Sequence, residues 1–322
     1  MRIRGTKRRS GVAIAVAVSL VLGAGAGSAH ALTLADLGSV AGDPAFPELP
    51  ALDAVNEGDL LAALQGVSGH PHKLKAPPPD WYGPAEQDSL AGGGSGTVAA
   101  APADAPLPGQ VGIRPGSMMI EPFICTMNYI FSKGDTLAIG TAGHCLEAGE
   151  KVVLLTLAPT GGDPVLVELG KILLKRDGGI GHDYGLVKIP ASRYDWVSPT
   201  IADVGGPCGE YTGGDPQPVA HYGHGLVGGD GGTPRAGMGI ESDAVRGFEL
   251  QWDNDSYSWV GELSNGDSGS PVRIAQLPAV GNLTHGIGLN VPVPQPSALG
   301  WGTRITTITS GGWNLVNSPL CP

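Results

Sequence analysis

Charge is scarce in this chain. Only 15% of its 322 residues are Asp, Glu, Lys or Arg, against 53 glycines and 28 prolines. Such a composition argues against long helices and for short strands joined by many turns. Basic residues are the scarcer sign, 19 against 30 acids, for a net charge of −11. That balance argues against nucleic acid or an anionic membrane surface as a partner. Cysteine is limited to four residues with no Cys-x-x-Cys, so a zinc cluster is not expected. Apolar runs long enough to approach a membrane span are confined to one, near the N-terminus, and no stable membrane insertion is expected. What is present suffices for a core: 41% of the residues are hydrophobic, which excludes disorder of the whole chain.

The N-terminal segment divides into three parts. Arg2, Arg4, Lys7, Arg8 and Arg9 precede an apolar run over residues 12–22, and Ala29-His30-Ala31 has the small-x-small form of a cleavage site. This is the pattern of a secretory signal, residues 1–31, removed after Ala31. The apolar run is short for an uncleaved anchor, and the text after Arg8-Arg9 suits general export better than a twin-arginine signal. Removal takes away five of the 19 basic residues and no acid, so the mature chain would stand at −16. In an exported chain, four cysteines point to two disulfides with three pairings open: Cys125, Cys145, Cys208 and Cys321.

Residues 32–117 read as a pro-segment and linker. Residues 32–74 form a weakly folded leader in which 52–64 has the spacing of one short helix. Residues 76–117 hold Pro77-Pro78-Pro79, Gly92-Gly93-Gly94 and an Ala/Pro tract, with almost no periodicity. His70 and His72, just before it, read as loop residues rather than metal ligands. From Met118 onward short apolar segments recur, at 123–131, 136–141, 151–157, 165–174 and 184–189. A second set follows Gly205-Gly206-Pro207, at 219–227, 239–245, 247–252, 256–263, 271–274, 283–291 and 301–308. Many short strands with turn signals between them predict an all-β sandwich or barrel. The two sets predict two barrels, about 118–200 and 201–322, with no sequence repeat between them.

Three blocks carry chemistry. Thr141-Ala142-Gly143-His144-Cys145 puts a histidine after a strand. His182-Asp183-Tyr184-Gly185 puts an acid before one, 39 residues on. Asn265-Gly266-Asp267-Ser268-Gly269-Ser270-Pro271 puts a serine in a tight turn, a further 85 residues on. A serine hydroxyl is a weak nucleophile until a base takes its proton. His144 would take it and return it to the leaving group, while Asp183 would hold the imidazole in the required tautomer. The backbone N–H groups of Gly266 and Ser268 would receive the oxyanion, where losing one donor typically costs about 3 kcal/mol of transition-state stabilisation.

The order His, Asp, Ser, with a Thr-Ala-Gly-His-Cys block and a Gly-Asp-Ser-Gly-x-Pro block, resembles the chymotrypsin/trypsin family of serine endopeptidases. The resemblance covers residues 123–313. It implies two antiparallel six-stranded β-barrels with the active site in the cleft between them, His144 and Asp183 from the first and Ser268 from the second. It implies a Cys125–Cys145 disulfide beside the histidine, and the remaining pair, Cys208–Cys321, would tie the chain end to the start of the second barrel. It further implies hydrolysis of peptide bonds through an acyl-enzyme, with protein or peptide substrates. No metal and no organic cofactor would be needed. A protein inhibitor is an open partner, and the secreted chain is expected to act as a monomer.

Specificity is less sharply written. Gly286, Leu289 and Asn290 fall where the family pairs a strand with substrate backbone, although Leu289-Asn290-Val291 replaces the usual Ser-Trp-Gly. Glu262, six residues before Ser268, falls at the base of the family's S1 pocket, where an acid would favour a basic P1 side chain; a solvated loop glutamate is the alternative. His285 would instead suit an acidic P1, or make a structural hydrogen bond. Asp267 is expected to brace the oxyanion loop through a buried cation, and no Ile-Val-Gly-Gly start supplies one. His182 reads as a spacer, and His221 with His224 lacks the helical setting of a metal pair. Two further readings stand beside the enzyme: a catalytically silent protease-fold binding or adhesion protein, and a zymogen whose residues 32–117 cover the cleft.

Overall fold

The computed structural model describes residues 72–82, 96–106, 108, 110–201, 205–213, 217–225, 233–241, 255–274, 278–288 and 297–322. The expected signal, the 52–64 helix, the 247–252 strand, His70, Leu289 and Asn290 lie outside them. The strands, in chain order, are β1 (His72–Lys73), β2 (Val98–Ala100), β3 (Met118–Glu121), β4 (Cys125–Thr126), β5 (Ile130–Lys133) and β6 (Thr136–Thr141). Then come β7 (Val153–Leu157), β8 (Pro164–Glu168), β9 (Ile172–Asp177), β10 (Asp183–Lys188), β11 (Gln217–Gly223) and β12 (Thr233–Glu241). The last are β13 (Ser256–Glu262), β14 (Pro271–Ile274), β15 (Ala279–Gly288), β16 (Ser297–Arg304) and β17 (Asn314–Leu315), with one short helix, α1 (Ile305–Thr309), before β17. Among the described residues no helix is long and apolar enough to cross a membrane.

The strands sort into two systems. In the first half, two five-stranded antiparallel sheets, β17-β5-β6-β10-β9 and β2-β8-β7-β3-β4, lie on a shared core. Met119, Met127, Ile130, Ile139, Leu154, Val167 and Val187 fill it, all fully buried. β7 is buried at four consecutive positions rather than alternately, as expected of a strand covered on both faces. Residues 165–174 read as one strand in the sequence but make two. The break is at Gly170, whose N–H turns to Lys188 while that of Leu169 bonds Val152, so the chain passes from one sheet to the other. In the second half, β15, β14, β11, β12, β13 and β16 pair in turn, and β16 pairs back to β15. The ladder is therefore a closed ring of six.

The halves meet through a separate apolar cluster. Tyr129, Phe131, Ala138 and Leu186 come from the first, and Ala220, Tyr222, Ala279, Ile305 and Ile308 from the second. The Tyr129 hydroxyl donates to the Val272 carbonyl, and burial of this phenol pushes its pKa far up, so it stays a donor.

Much of the stretch read from the sequence as weakly ordered linker, residues 96–106 and 110–117, makes regular contacts with the first half. β2 adds to β8, Val111 bridges Leu157 and Ile113 bridges Val197. Their order comes from backbone pairing, which leaves no periodic trace in a Pro/Ala-rich text. Helix α1 likewise replaces the second half of the strand expected over 301–308.

Candidate active site

β6 delivers the histidine. It runs buried to Thr141, and a 3-10 turn over Gly143–Cys145 follows. Gly143 is required there: a Cβ would stand 1.6 Å from the Arg176 carbonyl oxygen, a backbone atom that cannot step aside. The Cys125–Cys145 disulfide fixes the far side of the turn to β4, with Cα atoms 6.4 Å apart. β10 pairs with β6 through Gly185 and Thr141, which sets Asp183, its first residue, beside the histidine turn.

Asp183 is fully buried and uses both oxygens on His144. Oδ1 accepts the backbone N–H at 2.9 Å, and Oδ2 lies 2.5 Å from Nδ1. A neutral imidazole held this way carries its proton on Nδ1 and presents Nε2 as an acceptor. Nε2 lies 2.8 Å from Ser268 Oγ, which is also 3.0 Å from the Thr284 carbonyl. Residues far apart in sequence thus form one line of hydrogen bonds, and all three side chains are buried.

The serine turn is braced from both halves. Thr126 N–H donates to the Ser268 carbonyl at 2.7 Å, and the Thr126 hydroxyl donates to the Gly266 carbonyl at 3.0 Å. Asp267 accepts the Ser264 N–H on Oδ2 at 2.8 Å, closing the turn from within. Gly266 has φ +105°, in the left-handed region, and a Cβ there would meet the His224 carbonyl oxygen at 2.4 Å. Its N–H donates, at 2.5 Å, to the carbonyl of Leu74. That contact explains why a catalytic-type serine and histidine are hidden from solvent: residues 72–76 of the same chain lie over them.

Several supporting residues carry no motif. Asn282 donates to the Asp183 and Thr141 carbonyls at 3.1 and 3.3 Å and accepts Thr303 N–H at 3.1 Å. The Thr303 hydroxyl accepts the Asp183 N–H at 3.1 Å. The signal available in the sequence was polar residues inside otherwise apolar strands, here Asn282, Thr284 and Thr303. His285 is buried, bonds the Thr284 hydroxyl through Nδ1 at 2.8 Å and stands 3.7 Å from Asp183 Oδ2. Burial outweighs the attraction of Asp183 and pushes its pKa down to about 4, so it is neutral near pH 7.

The other candidate residues separate. Gly286 lies in β15, opposite Gly300 and His72. Glu262 is described at the backbone alone, as the last residue of β13 opposite Ser297. Its neighbour Leu263 is the side chain that packs near Leu74. His72 is exposed, and His182 stands 3.7 Å from Asp255 near the surface. His221 packs on Trp259, while His224 turns to the Gly116 carbonyl, so these two do not converge. His144 lies close to Cys125 and Cys145, but both sulfurs are spent in the disulfide. The second disulfide, Cys208–Cys321, is also present.

Two β-systems, a His–Asp–Ser line drawn from both and a disulfide beside the histidine decide the architecture. The fold is chymotrypsin-like. No family model and no curated protein matches the chain. Among solved structures, Thermobifida fusca Protease A is 19% identical with a TM-score of 0.43, covering 64% of this chain and 99% of its own. A glutamic acid specific serine protease, described as using a novel histidine triad in substrate binding, is 15% identical with a TM-score of 0.44, covering 63% and 100%. Cellulomonas bogoriensis chymotrypsin is 14% identical with a TM-score of 0.41, covering 63% and 99%. Within this chymotrypsin-like frame the first half supplies His144 and Asp183, and the second supplies Ser268 and Gly266.

Proposed function

We propose that this chain is an exported serine endopeptidase that hydrolyses peptide bonds through an acyl-enzyme. Ser268 Oγ attacks the substrate carbonyl, and its proton passes to His144 Nε2. Asp183 stabilises the imidazolium that forms, and the N–H groups of Gly266 and Ser268 receive the oxyanion. His144 then protonates the leaving nitrogen, and a water repeats the sequence in reverse to release the acid. The observation that carries the reading is the continuous line Asp183 Oδ2, His144 Nδ1, His144 Nε2, Ser268 Oγ, with separations of 2.5 and 2.8 Å. The signal over residues 1–31 and the two disulfides support export to an oxidising compartment.

The test is a fluorophosphonate label. The processed protein is expected to take one label, at Ser268, and Ser268→Ala to take none. Absence of labelling in folded, processed protein would make the chain a silent protease-fold binding protein.

A further inference from the structure

Residues 72–76 cross the cleft as an extended strand. On one side β1 pairs with β15 beyond the stretch that β14 covers, with His72 opposite Gly286 and Lys73 opposite His285. On the other side Ala76 exchanges two backbone hydrogen bonds with Ile124, at 3.1 and 3.0 Å. Between these anchors, Leu74 N–H donates to the Thr284 carbonyl at 3.2 Å, the same oxygen that Ser268 Oγ approaches at 3.0 Å. The Leu74 carbonyl accepts from Gly266 N–H. The Leu74–Lys75 bond is thus the bond in the segment whose carbonyl oxygen meets one of the two proposed oxyanion donors, Gly266 N–H, while Leu74 N–H pairs with the carbonyl that Ser268 Oγ approaches. β-strand addition of this kind is how an extended peptide is held for recognition.

The side chains are matched as well. Leu74 is 1% exposed and sits in the cluster of Leu263, Trp259, Val219 and Leu283. Gly286 and Gly300 leave the room: a Cβ on Gly286 would lie 2.4 Å from Leu263 and 3.2 Å from Leu74, and one on Gly300 2.6 Å from Leu263. Lys73 Nζ pairs with Asp177 at 2.6 Å. Lys75 Nζ stands 3.3 Å above the Phe123 ring and 3.3 Å from the His144 carbonyl. A chance crossing of the cleft would not be expected to place side chains at three successive positions, 73–75, as well as the backbone pairing on either side.

We infer that the protein is its own first substrate: Ser268 cleaves the Leu74–Lys75 bond in cis, and the same pocket selects an apolar, leucine-type P1 residue in other substrates, with a basic residue favoured before it. In the reaction, a bond forms between Ser268 Oγ and the Leu74 carbonyl carbon, and the serine proton goes to His144. The carbon–nitrogen bond breaks, and His144 hands the proton to the Lys75 nitrogen, which becomes a new N-terminus. Water then cleaves the ester to leave the Leu74 carboxylate and free Ser268. Residues up to Leu74 can depart, while Ala76 stays paired with Ile124. A leucine-type P1 is the opposite expectation to the basic P1 that an acid at Glu262 would favour.

The inference rests on the protease reading, and the experiment separates the two. The full-length chain, Ser268→Ala and Leu74→Asp are expressed, and intact mass, N-terminal sequence and fluorophosphonate labelling are followed. The wild type is expected to start at Lys75, with a first-order rate independent of protein concentration. Ser268→Ala should stay uncut there. Leu74→Asp should cut at that bond at least about 100-fold more slowly, because a carboxylate enters an apolar pocket. If Leu74→Asp labels at Ser268 but the wild type stays intact and unlabelled, residues 72–76 are an uncut plug and the inference fails while the protease reading stands. If the wild type labels without a cut at Lys75, the inference also fails. If no variant labels, the protease reading falls and takes the inference with it. A peptide spanning residues 70–78 checks the pocket separately. It should be cut after leucine, and replacing that leucine by arginine should slow cleavage; faster cleavage after arginine would return the specificity to Glu262.

Discussion

Replacing Asp183 by Asn gives the most direct measure of the charge line. The carboxylate is fully buried and accepts both the backbone N–H and Nδ1–H of His144. Asn keeps the shape but loses the charge and has only one acceptor oxygen. If that oxygen keeps the His144 N–H, the amide NH₂ faces Nδ1. The imidazole must then move its proton to Nε2, where it can no longer accept from Ser268. The imidazolium formed in the transition state also loses its counter-charge. Two unit charges about 4 Å apart at an effective dielectric of about 20 attract by about 4 kcal/mol. Adding the cost of the wrong tautomer gives about 5 kcal/mol, a loss of about 10⁴ in rate. The assay is the second-order rate of fluorophosphonate labelling of folded protein, with circular dichroism to establish the fold. A loss below about tenfold in folded Asp183→Asn would refute the assignment of Asp183 as the group that orients and charges His144.

Two further outcomes are expected. His285 ionises near 4 in the folded chain because burial opposes its charge, against about 6.5 unfolded. Asp183 and Asp177 favour that charge, while His144 and Lys73 oppose it. Between those values the unfolded chain takes up a proton that the folded chain refuses, so stability falls as pH drops from about 6.5 to 4, by at most about 3 kcal/mol, and this group adds nothing below 4. Denaturant midpoints of Ser268→Ala measured over that range should flatten on adding His285→Gln; an unchanged slope would assign the loss elsewhere. Second, Cys208–Cys321 closes a loop of 113 residues, which the chain-entropy argument rates at about 5 kcal/mol. Replacing both cysteines by Ser should lower the denaturation midpoint strongly while leaving labelling of the folded fraction within about twofold. A large loss of labelling rate in folded protein would place the bridge in the active site instead.

The candidate catalytic residues were legible because each sits in a short motif whose backbone shape is set locally. Gly143 is there because the Arg176 carbonyl leaves no room for a Cβ, and Gly266 because its φ is positive. Strands such as β6 and β14 were legible at both ends, since turn residues bound them. Asn282, Thr284 and Thr303 were not, because a polar residue in a strand looks the same whether it faces solvent or a buried carboxylate. Residues 72–76 were the least legible. They are held largely through backbone hydrogen bonds, which any sequence can make, and their side-chain anchors, Lys73, Leu74 and Lys75, form no recognisable motif. The expectation at Glu262 came from counting back from Ser268, and counting places a residue on a strand without showing where its side chain points.

The pairing of β17 with β5 has a consequence in time. β17 follows the second barrel and the serine turn in the chain, yet it forms an edge of the first half, with Asn314 opposite Ser132 and Val316 N–H on the Ile130 carbonyl. Chains fold from the N-terminus as they are made. Here the first half waits for residues that leave the ribosome after the serine turn has already done so. An unfinished or stalled chain therefore has an open sheet edge beside the strand that leads to the histidine. The sheet that carries His144 and Asp183 is thus completed only by residues made after the Ser268 turn.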